Sequence, residues 1–117
     1  MTLEQVAFCL LAGGAVGGMG LALLPRLGLR LPRGFGTVHG LVGLAGLALL
    51  FLANLRMEGG APPAAWWALG LMTAALVGGL ILFRTLFRGH KPLPLIGLHG
   101  ALAVAGLWLL NPLAFGL

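Results

Sequence analysis

The sequence predicts an all-α integral membrane protein: a four-helix transmembrane bundle made of two tandem helical hairpins. Three observations carry that prediction. The 117 residues are 60% hydrophobic and only 8% charged, with a mean hydropathy of +1.08, against about a quarter charged in soluble domains. Four apolar runs, about Leu3 to Leu24, Phe35 to Leu55, Ala64 to Phe87 and Leu93 to Leu110, each approach the roughly 20 residues that cross a hydrocarbon core. Finally, the chain resembles itself at an offset of 60 residues. His39-Gly40 recurs as His99-Gly100, Ala45-Gly46-Leu47 as Ala105-Gly106-Leu107, and Pro32 as Pro92.

Each run has its own punctuation. The first is too long, and too poor in flanking positive charge, for a cleaved signal peptide, and Pro25 closes it. Gly34 and Gly36 lead into the second. Gly59, Gly60, Pro62 and Pro63 form the turn into the third. Gly89, Pro92 and Pro94 mark the passage to the fourth. Such short connections make consecutive helices antiparallel neighbours and leave no room for an extramembrane domain. The expected organisation is one transmembrane domain over 1–117, with repeat 1 about 1–58 and repeat 2 about 61–117. Two crossings per repeat make the halves parallel, related by a pseudo-twofold axis along the membrane normal.

Charge sets orientation. The formal net charge of +5 would suggest nucleic acid, but its positions do not form such a footprint. Arg26, Arg30 and Arg33 lie between the first two helices and Arg84, Arg88 and Lys91 between the last two, whereas Glu4, Arg56 and Glu58 lie at the other end. By the positive-inside rule the basic connections face the cytoplasm and both termini lie outside. The expected setting is a prokaryotic inner or cell membrane. The basic rim suits anionic lipid or cofactor carboxylates.

The histidines carry the chemistry. Helices 2 and 4 both start at the basic side, and His39 and His99 come about one turn in, on the order of 6–8 Å below the helix starts. An unpartnered imidazole is costly at that depth, and a pair at one depth points to a shared metal. Zinc or copper needs a third or fourth donor, and neither Cys9, near the outer end, nor Met19 supplies one convincingly. Two nitrogens suit a macrocycle that brings four of its own, which makes haem iron the leading candidate. The single cysteine and the lack of a C-x-x-C-H motif make any haem non-covalent. A bond from each ring's second nitrogen to the carbonyl one turn earlier, Phe35 or Leu95, would orient it.

Small residues on the histidine face, Gly43, Gly46 and Gly106, leave room for a macrocycle as well as for close helix packing. The glycines of helix 1 (Gly13, Gly14, Gly17, Gly18, Gly20) and helix 3 (Gly78, Gly79) read as packing positions. Arg84, just inside the end of helix 3, and Arg33 are candidates to meet propionates, with snorkelling and topology the plainer roles. His90, in the basic loop, reads as a solvated side chain.

With four transmembrane helices and the pair His39/His99, the chain resembles small membrane-bound b-type cytochromes. The resemblance implies one non-covalent haem b and electron exchange with a quinone or redox partner. Related two-haem bundles need four ligands and this chain offers two, so one haem near one face leaves most of the roughly 30 Å core uncrossed. Any enzymatic role would be as a component of a quinone-linked oxidoreductase. Expected partners are membrane lipid and quinone, not nucleic acid, with self-association left open. The alternatives are a haem carrier or gas sensor, and a small four-helix transporter. Proton-coupled transport needs an embedded carboxylate, and the only acids, Glu4 and Glu58, sit near the outer ends.

Overall fold

A computed structural model describes residues 1–116, with the backbone alone at Phe87. The chain forms α1 (Leu3–Leu23), a 3-10 turn (Leu24–Leu27), α2 (Phe35–Arg56), α3 (Pro63–Phe87) and α4 (Leu93–Phe115), with no strand among the described residues. All four helices are long and apolar enough to cross a membrane, with mean hydropathies of 1.9 to 2.0 over their spans. The molecule measures 48 × 23 × 21 Å, enough along its length for a bilayer core of about 30 Å.

Local chemistry explains the boundaries. Thr2 opens α1 with a capping box: its hydroxyl accepts from Gln5 N at 3.3 Å, and the Gln5 side chain accepts from Thr2 N at 3.0 Å. Pro25 falls in the 3-10 turn, and Gly28, at φ 79°, reverses the chain where a Cβ would be strained. Pro63 and Pro94 sit in the first turns of α3 and α4, where no intrahelical donor is lost. One boundary departs from expectation. α4 runs through Pro112 to Phe115 instead of ending near Leu110. In the final turn a proline forfeits one backbone bond and can be accommodated locally, and Gly116 closes the helix through N–H to the Pro112 carbonyl at 2.8 Å.

α1 packs on α2 and α3 on α4 most extensively. α1 also meets α4, and α2 meets α3, so the helices form a ring with α2 and α4 across its diagonal. Packing is concentrated at the end that carries the chain termini. There Ala7, Leu11, Leu50, Ala68, Met72 and Leu110 form the core, joined by buried Ala53, Ala65 and Ala114. Among the described residues of the basic half only Gly14, Ala75 and Leu82 are buried. The bundle is clamped at one end and looser at the other.

Two glycines allow the clamp. A Cβ on Gly46 would lie 2.8 Å from Leu11 Cγ, and one on Gly106 would lie 2.9 Å from Met72 Cε. In lipid, close approach and dispersion replace the hydrophobic drive between helices. At the same level α1 meets the end of α4 through an edge-to-face pair, Phe8 and Phe115, with ring centres 5.1 Å apart.

Candidate histidine centre

The two histidines face one another across the diagonal of the loose half. Their ring centres are 6.1 Å apart with planes at 81°, and both are half-buried. His39 is in the second turn of α2, and His99 is at a similar position in α4. The α2 and α4 backbones are nowhere in contact among the described residues, so the imidazoles themselves reach into the gap.

Each ring is seated on the partner helix of its own hairpin. His99 lies on Gly79 of α3, and His39 on Gly18 of α1. A Cβ at either glycine would come 2.9 Å from the ring's Cε1. The contact has a backbone cause. In a helix the carbonyl of residue i lies beside the side chains of i+3 and i+4. Gly78 and Gly79 therefore uncover the carbonyl of Ala75, and His99 Nδ1 takes it at 2.7 Å. Gly17 and Gly18 uncover the carbonyl of Gly14 in the same way. There the match is incomplete: His39 Nδ1 is enclosed and has no hydrogen-bond partner among the described residues.

A carbonyl can only accept, so the Ala75 contact places a proton on His99 Nδ1. In the neutral ring this leaves the Nε2 lone pair free, as a metal ligand requires. The expected partners Phe35 and Leu95 are not used. The rings turn away from their own helices toward a carbonyl the neighbouring helix leaves bare. Nε2 of neither histidine has a hydrogen-bond partner among the described residues.

The remaining candidates fall into two groups. A Cβ on Gly43, one turn beyond His39, would meet nothing within 4 Å, whereas the space at Gly46 and Gly106 is taken by Leu11 and Met72. Arg33, Arg84 and His90 are exposed at the basic end, and no side-chain hydrogen bond joins them to either ring among the described residues. Cys9 and Met19 are exposed on α1. Among the described residues no group of three or more His, Cys, Asp or Glu is placed to hold a metal ion.

That donor set decides what could fit. Metal–nitrogen bonds of roughly 2 Å, plus about 1 Å from nitrogen to ring centre, put two ligating imidazoles about 6 Å apart across one metal, close to the observed 6.1 Å. A bare zinc or copper ion would lack its other donors. Haem iron would ask the protein for only two nitrogens, which is the number His39 and His99 supply, at a ring spacing of 6.1 Å.

Sequence reasoning missed two features. The Gly17-Gly18 and Gly78-Gly79 pairs, read as packing, expose the carbonyls that seat the rings. The signal was a double glycine on each helix facing a histidine. Asn54, the only buried polar side chain among the described residues at 3% exposure, donates through Nδ2 to the Ala65 carbonyl at 3.1 Å and ties α2 to the first turn of α3. Its Oδ1 is buried without a partner.

The fold and site thus define a polytopic helical bundle with a facing imidazole pair. The sequence matches no protein-family model, and neither a curated protein nor a solved structure matches it.

Proposed function

We propose that this protein is a small membrane cytochrome of the b type, in which His39 and His99 hold one non-covalent haem near the basic face. The observation that carries the reading is the imidazole pair itself, 6.1 Å apart, with no third His, Cys, Asp or Glu grouped with it among the described residues. His39 and His99 would hold the haem, and when bound it would supply reversible one-electron transfer.

The chain's own groups have distinct tasks in this reading. The Ala75 carbonyl holds the His99 proton on Nδ1, keeping Nε2 as the donor and raising its basicity. Gly18 and Gly79 hold each ring against its own hairpin, and Gly43 leaves space beside His39. Arg33 and Arg84 at the rim would meet the propionates, worth more than a water-exposed pair because part of the site is desolvated. Quinone is the expected redox partner, since the short connections offer little surface to a soluble protein. The two hairpins are tandem repeats about an axis along the membrane normal, with the termini outside.

Recurrence of contacts supports the repeat. Gly18 against His39 and Leu11 against Gly46 have counterparts in Gly79 against His99 and Met72 against Gly106. α2 and α4 correspond 60 residues apart, as His39 and His99 do. α1 and α3 correspond 61 apart, as Gly18 and Gly79 do. The first connection therefore carries one extra residue, which a single fixed offset misaligns.

The test is the absorption spectrum of protein purified after expression with haem supply. A reducible b-type spectrum is expected. His39→Ala and His99→Ala should each strip or greatly weaken the haem, with His90→Ala unchanged. Full haem stoichiometry in the 39/99 double variant would reject the assignment. Fast carbon monoxide binding to reduced wild type would replace electron transfer with gas sensing, and failure of quinol analogues to reduce the haem would favour haem handling.

A further inference from the structure

We propose that the basic end of the bundle is a docking surface for the phosphate headgroup of an anionic phospholipid, centred on the connection between α1 and α2. This rests on the membrane-spanning helices and the surface chemistry, and not on haem.

Charge is the first observation. Arg26, Arg30, Arg33, Arg84, Arg88 and Lys91 are all exposed at this end. The chain's only carboxylates, Glu4 and Glu58, belong to the opposite end, so no internal anion answers these cations. Five of the six are arginine, whose planar fork binds phosphate oxygens in pairs.

The shape of the first connection is the second. Leucines flank both arginines in Leu24-Pro25-Arg26-Leu27-Gly28-Leu29-Arg30-Leu31. Leu27 is 73% exposed and Leu29 55% exposed in the isolated chain. Held at the membrane surface, those leucines enter the acyl boundary while the arginines between them stay at phosphate depth. The 3-10 turn and the left-handed Gly28 bend the segment over the helix ends.

Anchoring is the third, and it is independent of the charge count. Transmembrane helices are usually held at both interfaces by Trp and Tyr. All three tryptophans lie toward the other end, Trp66 and Trp67 in the first two turns of α3 and Trp108 in the outer part of α4, and the chain has no tyrosine. With no aromatic belt at the basic end, guanidinium–phosphate pairing is the anchor available there.

The occupant is a lipid and not free phosphate, because the leucines between the arginines need acyl chains beneath the charge they accompany. The experiment is native mass spectrometry of the full-length protein released from nanodiscs of mixed phosphatidylglycerol and phosphatidylcholine with matched chains. Wild type is expected to retain the anionic lipid several-fold over its share of the bilayer. Each surface cation contributes on the order of a fivefold attraction, so Arg26→Gln/Arg30→Gln, which removes two, should bring retention of the anionic lipid down to its share of the bilayer. Arg56→Gln, at the far end, should leave it intact. Equal retention of both lipids, or an unchanged Arg26→Gln/Arg30→Gln variant, overturns the proposal. So does inorganic phosphate that displaces the retained lipid at millimolar concentration. The haem spectrum of the same samples is expected to be unchanged, which separates this outcome from the fate of the cytochrome reading.

Discussion

At the scale of single residues, the two double glycines separate seating from simple proximity. Gly18 and Gly79 each lie where a methyl group would sit 2.9 Å from a histidine ring, while Gly13 and Gly70 have nothing within 4 Å of the same added atom. Gly18→Ala and Gly79→Ala are therefore expected to push the imidazole off its seat and change the haem spectrum or its retention. Gly13→Ala and Gly70→Ala are expected to leave both unchanged, at slightly higher helix propensity. The imidazole nitrogen resonances of protein prepared without haem give a second readout, because loss of the Ala75 contact alters the His99 Nδ1–H signal. An unaltered spectrum and unaltered resonances in Gly79→Ala would mean that the ring is held by something else. The double glycines were visible in the sequence, but their role as ring seats was not. Glycine in a membrane helix has packing as its commonest use, and which carbonyl a double glycine exposes depends on which neighbour faces it.

At the scale of helices, composition and punctuation were enough to place all four within a few residues. Lipid leaves an exposed backbone no alternative to the helix, and prolines and glycines mark where each one stops. The exception was the end of α4, expected near Leu110 but continued through Pro112 to Phe115, in a last turn whose bonds are partly unmade in any case. Pairing between helices was less legible, since Gly46 and Gly106 looked like room for a ligand and are filled by Leu11 and Met72. These contacts give a stability prediction. Gly46→Ala and Gly106→Ala overpack the clamped end and should each cost about 1–3 kcal/mol, read as a lowered unfolding midpoint in detergent. Gly106→Ala should be the milder, because the flexible Met72 side chain can move aside more readily than branched Leu11. Equal midpoints for wild type and both variants would show that neither contact is tight.

At the scale of the whole molecule, the halves are joined far more lightly than they are built. Among the described residues, Asn54 to the Ala65 carbonyl is the one side-chain hydrogen bond that crosses from the first hairpin to the second. Beside it the α2–α3 boundary holds a groove of about 240 Å³, lined by Leu44, Leu47, Ala48, Phe51, Leu69 and Thr73. Everything else along that boundary is dispersion between apolar surfaces, which surrounding lipid can imitate. The two leaves share one buried seam at the end that carries the termini, with a single hydrogen-bonded stitch in it, and they meet least at the end that carries the histidines. Separate expression of residues 1–58 and 61–117 in one cell should then give two pieces that co-purify. Asn54→Leu should weaken that association while leaving each piece helical, whereas pieces that never meet would show that the tether between them holds the bundle closed.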